Sequence, residues 1–144
     1  MPTTFTNNWK NILDKLESII KTEFKGTLPV CIGFDDKTIG SQYLRLIPIK
    51  TDLLEYNVTA ELREFTIEMI LQVKTINTNK GAIHNLTRMV SRIESLITDN
   101  ISMTLSDSSN AINCRVNSTT FESSDQDGSI VSFDYKCQHL GNVG

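Results

Sequence analysis

The sequence lacks an excess of positive charge and a long apolar run. Its 14 Lys and Arg residues stand against 17 Asp and Glu residues, for a formal net charge of -3. Such a chain has no diffuse positive field to attract a polyphosphate, so direct nucleic-acid binding is disfavoured. Charged residues interrupt the apolar stretches far short of the roughly 20 apolar residues that span a bilayer, and the N-terminus has no signal-peptide pattern. We therefore expect no membrane partner and no secretion.

Cysteine and histidine are scarce, which limits the chemistry of any site. Cys31, Cys114 and Cys137 cannot all pair, and each falls in an apolar run typical of free core thiols in a reducing, intracellular setting. A zinc site would need four convergent ligands, and neither His84 nor His139 lies in a catalytic signature that would supply a base. The seven glycines are dispersed, so no phosphate-binding loop is present. The sequence predicts no catalytic, metal or cofactor site.

What the sequence does contain is the composition of an ordinary globular domain, with 39% hydrophobic and 22% charged residues among 144. A chain of this size can bury roughly two thirds of the surface that its unfolded form exposes, without disulfide or metal support. No repeat, low-complexity tract or interdomain linker interrupts the sequence. We therefore expect one domain over residues 1–144.

Two segments have the apolar period of an amphipathic helix. Residues 8–25 place seven apolar side chains on one stripe, and residues 83–97 place seven on another. An Asn or Thr side chain at positions 6–8 is a suitable cap for the first helix, and Gly26 can adopt the positive φ that ends it. The sequence therefore predicts two main helices.

Five segments alternate apolar and polar side chains, as half-buried strands do. They are residues 30–34, 43–49, 58–75, 112–116 and 131–137. Unbroken, the third would reach about 50 Å at roughly 3.3 Å per residue, longer than a small domain needs. We expect part of it to project as a hairpin or to pass a bulge.

Turn-forming and polar residues separate these segments. Turns are predicted at residues 35–37 and near residues 51–52, and polar connections over residues 102–110 and 117–127. Pro48 lacks a backbone donor and predicts a sheet edge or a strand end. The order of elements suits an α+β fold with a single antiparallel or mixed β-sheet of about five strands packed against two main helices.

Residues 123–134 partly match a calcium-binding EF-hand loop, with acids at positions three, five and twelve, glycine at six and an apolar residue at eight. The segment departs from that loop in having Ser123 first, the shorter Asp134 last, and a strand-like continuation. The alternative, which we favour, is a plain hairpin turn at Asp127-Gly128. No calcium or other cofactor is therefore assigned.

The order and length of the elements resemble those of the tail terminator and tail-completion proteins of tailed bacteriophages, including small proteins of the head-tail neck. The resemblance rests on residues 9–24, 43–49, 58–75 and 83–97 and on the closing strand pair. It implies a virion structural protein, assembled in the host cytoplasm, that forms a homo-oligomeric ring, usually a hexamer. Such a ring caps the tail tube protein, joins the head connector protein, and lets DNA pass through its channel without specific binding.

Two sets of charged residues are candidates for these contacts. Arginine is enriched at interfaces because its planar fork pairs with carboxylates. The interface candidates are Arg45, Arg63, Arg88 and Arg92, with Arg115 considered beside them. An acidic channel lining would repel passing DNA. The channel-facing candidates are Asp107, Glu122, Asp125 and Asp127. For both sets, the alternative is an ordinary solvated surface.

Two other hypotheses fit the same sequence. One is a different head-tail neck or tail adaptor protein with the same fold. The other is a small-ligand-binding α+β domain, which would need a cavity with converging polar groups. The mostly aliphatic helix stripes indicate packing in place of such a pocket.

Overall fold

The structure, a computed structural model, describes residues 5–33, 42–73, 80–124 and 128–142. Two helices and six strands make up these residues. In chain order they are α1 (Asn8–Phe24), β1 (Val30–Ile32), β2 (Gln42–Tyr56), β3 (Ala60–Val73), α2 (Lys80–Asp99), β4 (Met103–Thr104), β5 (Asn110–Ser124) and β6 (Gly128–Asn142). The α+β class and both main helices predicted from the sequence are present.

Helix α1 begins and ends where local chemistry satisfies its backbone. The Asn7 side-chain oxygen accepts a hydrogen bond from the Lys10 N–H at 3.1 Å, which caps one of the free donors of the first turn. At the other end, Lys25 and Gly26 adopt φ values of 50° and 84°, so the left-handed turn begins one residue before the predicted glycine. The buried face of the helix consists of Ile12, Leu13, Leu16, Ile20 and Phe24.

The six strands form one mixed sheet in the order β1-β2-β3-β6-β5-β4. Only β1 and β2 run parallel, and every other neighbouring pair is antiparallel. Five strands were predicted, and the additional one is β4. It is two residues long and lies within residues 102–110, which the sequence predicted as a connection only. A strand this short carries no alternation, so its pairing with β5 is visible only in the folded chain.

The central ladder between β3 and β6 sets the position of the core. These two strands pair from Ala60↔Asn142 to Val73↔Ser129 without a register shift. Alternate side chains of both strands are buried on the face that carries the helices. They are Phe65, Ile67, Met69 and Leu71 on β3 and Val131, Phe133, Tyr135 and Cys137 on β6. Helix α1 lies against β1 and β2, and α2 lies against β5.

The turn predicted near residues 51–52 is wrong. Strand β2 continues to Tyr56, and the chain reverses at Asn57, whose side-chain oxygen accepts hydrogen bonds from Thr59 N–H and Ala60 N–H. The extra length is accommodated by register shifts between Pro48 and Lys50 and between Leu53 and Glu55. The sequence predicted that the strand at residues 58–75 projects as a hairpin or passes a bulge. Its first part forms the β2–β3 hairpin, and both bulges lie on β2.

The polar connection predicted over residues 117–127 is also wrong as far as it is described. Residues 117–124 belong to β5 and pair with β6, for example Thr120↔Ser132. This part of β5 is exposed to solvent on both faces, where Ser and Thr side chains are suitable. Its sequence therefore lacks the alternation of apolar and polar residues that predicts a strand. Asp125 and Asp127 lie outside the described residues, as do the predicted turn at residues 35–37 and the end of the third predicted strand.

The strand pairing excludes an EF-hand loop over residues 123–134. Ser123 pairs with Ser129, whereas Asp134 pairs with Ser118, five residues further along β6. The two ends of the segment are therefore separated by about 17 Å of extended strand. An EF-hand loop must bring its first and twelfth residues to the same ion.

Replacing a fully buried residue of α1 should test the docking of this helix on the sheet. We expect Leu16→Ala to lower the free energy of unfolding by about 3 kcal/mol, because the side chain is 0% exposed and its loss leaves a cavity. The exposed Leu54 gives a matched control, for which Leu54→Ala should cost less than about 0.5 kcal/mol. Urea denaturation followed by circular dichroism measures both, and equal losses would contradict the packing described here.

Candidate interaction surfaces

The described residues hold no cluster suited to metal chemistry. Among them, no group of three or more His, Cys, Asp or Glu side chains could hold a metal ion. A cavity of ≈ 310 Å³ opens beside β5 and is lined by Ile101, Asn113, Cys114, Arg115 and Gln138. None of the described helices is long and apolar enough to cross a membrane.

The cysteines are free thiols, and two of them meet inside the core. Cys114 on β5 and Cys137 on β6 are 2% and 0% exposed and lie next to each other. Interaction between the two thiols lowers the pKa of Cys114 to about 7 and raises the pKa of Cys137. The half-buried Cys31 directs its sulfur toward the Leu44 carbonyl at 3.8 Å. Cys114 and Cys137 therefore act as small core residues, as the sequence predicted, whereas Cys31 lies at the border of the core.

A chain of hydrogen bonds joins Asp107, Ser109 and His139. The Ser109 hydroxyl donates to Asp107 Oδ1 at 2.5 Å, and Ser109 Oγ lies 3.0 Å from His139 Nε2. Because the hydroxyl proton points at Asp107, the serine oxygen accepts from the imidazole N–H, and the imidazole cannot act as a base toward Ser109. This is not a nucleophile–base pair. Its role is to fasten the β4–β5 turn to β6.

Burial and hydrogen bonding shift the pKa values of the charged members of this chain. The bond from Ser109 lowers the pKa of Asp107. His139 is 4% exposed, and burial lowers its pKa below 6.5 despite the nearby Asp107 carboxylate. The neutral imidazole is therefore the form that the folded protein holds at neutral pH.

The candidate arginines are scattered over the molecule, and most have intramolecular partners. Arg45 stacks over the Tyr43 ring, Arg63 pairs with Glu61, and Arg115 pairs with Glu64. Arg92 donates to the Glu23 carboxylate at 3.0 Å and to the Glu23 backbone carbonyl at 2.9 Å, and its guanidinium lies 4.4 Å from the centre of the Phe24 ring. It thereby ties α2 to α1. Arg88 is exposed on α2 and makes no ion pair with the residues that the structure describes.

The two described candidate acids lie far apart. Asp107 is in the turn before β5, and Glu122 is exposed near the end of β5, so roughly 40 Å of extended strand separates them. A channel lined by both would have to run along the length of β5. Whether they face a channel stays a prediction.

The backbone of the sheet is only partly paired at its two edges. Strand β1 covers β2 only at residues 44–46, and β4 covers β5 only at residues 110–111. Residues 47–56 of β2 and residues 115–124 of β5 have no outer partner strand among the described residues. Because the two strands run in opposite directions on opposite edges, these free halves lie at diagonally opposite corners of the sheet.

Pro48 confirms the edge that the sequence predicted for it. The Leu44 N–H donates outward to the Pro29 carbonyl, and the Gly33 N–H donates to the outward Leu46 carbonyl. Pro48 is the next residue of this outward series and lies beyond the end of β1. Its missing donor therefore faces away from β3, toward an edge that has no partner strand among the described residues, and the ladder with β3 does not need it.

Several apolar side chains at these edges are exposed, which the sequence analysis did not single out. They include Ile49, Leu53, Leu54 and Tyr56 on β2, Val58 in the β2–β3 turn, and Phe121 on β5. Those within strands gave no signal, because an outward apolar residue on an edge strand has the same period as a core residue. Only the sheet order separates the two.

The buried imidazole should make stability depend on pH. The folded pKa of His139 lies below its unfolded value, so the unfolded chain takes up a proton first and stability falls as the pH drops below about 6.5. We expect His139→Gln to reduce the loss of the urea midpoint between pH 7 and pH 5.5. His84→Gln, at an exposed position on α2, should leave that loss unchanged, and the reverse pattern would contradict the assignment.

Two arginines of α2 should respond differently to truncation. Arg92→Ala should lower the free energy of unfolding by about 1 kcal/mol, because solvent screens the half-exposed ion pair but the bond to the Glu23 carbonyl is lost as well. Arg88→Ala should change it by less than about 0.5 kcal/mol. Thermal denaturation of both variants measures the difference, and an equal effect would show that Arg92 does not hold the two helices together.

Comparison with known proteins identifies the fold but no family. No protein-family model and no curated protein sequence matches the chain. Among solved structures, a chain from the virion of a native gene transfer agent (GTA) particle is similar, with a TM-score of 0.63 and 9% sequence identity. The match covers 95% of this chain and 100% of that chain. The α+β architecture is therefore shared, over 95% of this chain, with a chain of that particle.

Proposed function

We propose that the chain is a structural subunit of a phage-like virion, and more specifically a tail terminator or tail-completion protein. In this role its copies form a ring, a hexamer in the family it resembles, that caps the tail tube and joins it to the head connector. The likeness to a chain of a gene transfer agent virion supports the general class. The tail terminator role rests on the resemblance in element order and length.

The observation that carries this proposal is the pair of free sheet edges. A ring needs two different surfaces on each subunit, one that meets the copy ahead and one that meets the copy behind. The free halves of β2 and β5 are two such surfaces, since their outer backbone groups have no partner strand among the described residues and can extend a neighbour's sheet. The exposed apolar side chains beside them add surface that is favourable to bury.

The remaining parts of the proposal concern the channel and the location of the ring. A ring at the tail end would let DNA pass without specific binding, which suits the formal charge of -3. Asp107, Glu122, Asp125 and Asp127 stay channel-facing candidates, and Arg45, Arg63, Arg88 and Arg92 stay interface candidates. The particle would assemble in the host cytoplasm. A different head-tail neck or tail adaptor protein is the alternative with the same geometry.

The mass of the purified protein, alone and with tail tubes from the same particle, tests this function. We expect a defined oligomer, or a monomer that assembles on the tube ends, and a ring at one end of each tube by electron microscopy. Binding along the tube wall, or to the connector alone, would favour a different adaptor. A monomer at every concentration that binds neither tubes nor connectors would contradict the proposal.

A further inference from the structure

We propose that neighbouring copies join β2 to β5 as antiparallel strands, so that their four long strands form one continuous barrel around the ring. This inference rests on the proposed function, because it names the interface of that ring. The occupant of each free edge is thus a second copy of this chain. Strand direction, strand coverage, face chemistry and ring geometry support it independently.

The directions of the two edge strands are correct for such a joint. In the sheet order, β2 and β5 are antiparallel to each other, since β3, β6 and β5 each reverse the strand before. When a second copy lies beside the first in a similar orientation, its β5 therefore runs antiparallel to the β2 of the first. Antiparallel pairing is the more stable arrangement for an added strand.

The short outer strands restrict the register of this joint. Strand β1 covers the outer edge of β2 up to Leu46. Strand β4 covers the start of β5, and the Cys114 N–H donates to the Ile101 carbonyl just beyond it. Among the described residues, this leaves the second halves of β2 and β5 as the parts of the two edges that can meet. Between the bulges, the regular free segments are residues 50–53 of β2 and residues 118–124 of β5.

One register brings together complementary side chains on both faces. This register pairs Lys50 of one copy with Glu122 of the next, and Asp52 with Thr120. All four side chains lie on the face of the sheet that carries no helix, because within one copy Lys50 pairs with Thr66 and Glu122 pairs with Ile130, both of that face. Lys50 and Asp52 are about half exposed and pair with each other at 3.2 Å, so Glu122 would give Lys50 a second carboxylate. Shifting by two residues would place Glu122 opposite Asp52, and like charges directly opposite are destabilising.

The same register also covers exposed apolar surface on the helical face. It places Phe121 opposite Thr51 and diagonally from Leu53, on the face to which Phe65 and Val131 also belong. Phe121 is 52% and Leu53 49% exposed in the single chain. Contact between these two side chains across the joint would remove apolar surface of both from water and so favour this register.

The stagger of this joint is suitable for closing a ring. Within one copy, Lys50 lies level with Thr66 and Glu122 lies level with Gln72, six residues further along β3. Joining Lys50 of one copy to Glu122 of the next therefore shifts neighbouring copies by six residues, about 20 Å, along the strand direction. The four long strands of one copy together are about 19 Å wide. The resulting strand tilt is about 45°, at the upper end of the range found in closed barrels. The helices need the larger circumference, so the uncovered face lines the channel.

Disulfide trapping tests the register directly. Within one copy, Asp52 and Thr120 lie on strands separated by β3 and β6 and six residues apart in level, far beyond the roughly 7 Å between Cα atoms that a disulfide allows. A bond between thiols introduced by Asp52→Cys and Thr120→Cys must therefore join two copies. Under a mild disulfide oxidant we expect a ladder of covalent oligomers on non-reducing gels, closing at the size of the ring.

The matched control moves one thiol to the opposite face. With Cys31→Ser in both variants and Cys114 and Cys137 buried, Asp52→Cys combined with Thr119→Cys should give no ladder above that of the Cys31→Ser chain. Rings that form by native mass spectrometry while neither variant cross-links would overturn this interface and leave the proposed function standing. No oligomer with or without tail tubes would count against both.

A charge exchange gives a second, non-covalent measurement. Lys50→Glu should raise the protein concentration at half assembly by about two- to fivefold for each interface, because it places like charges opposite each other. Lys50→Glu combined with Glu122→Lys should restore assembly. Failure of the double variant to recover, in a protein that still unfolds at the natural urea midpoint, would contradict the pairing of these two residues.

Discussion

Burial of one face of the β3–β6 ladder beneath two helices is the constraint on which the rest of the structure depends. Alternate residues such as Ile67 and Phe133 have no contact with water, so any slip of one residue would move the whole apolar set to the uncovered face. This ladder accordingly contains no register shift, whereas β2 and β5 each contain two. Irregularity is confined to the strands whose outer sides are open.

The edge strands combine features that oppose and permit pairing. Bulges and Pro48 shorten the regular free backbone, which limits indiscriminate edge-to-edge association. The stretches left between the bulges still present unpaired groups, with exposed side chains such as Leu53 and Phe121 beside them. An edge of this kind favours a partner with one register over generic aggregation, because only a matched stagger satisfies its backbone groups and its side chains together.

The residues with reactive side chains are used for packing and fastening. Cys114 and Cys137 lie together in the core, His139 donates to a serine that already donates to Asp107, and Arg92 connects the two helices. Each of these side chains is held by a neighbour of the same chain, so each contributes to packing or to joining two elements.

The sequence by itself determined both helices, the buried faces of β3 and β6, and the edge position of Pro48, because each has a local period or a local backbone property. The same reasoning missed the second halves of β2 and β5, and it placed a turn at residues 51–52. Polar edge residues such as Thr120 carry no period, and a bulge breaks the alternation that predicts a strand. The free edges were decided only by tertiary structure, since whether a strand such as β5 has a neighbour depends on the order of strands in the sheet, which no local pattern encodes.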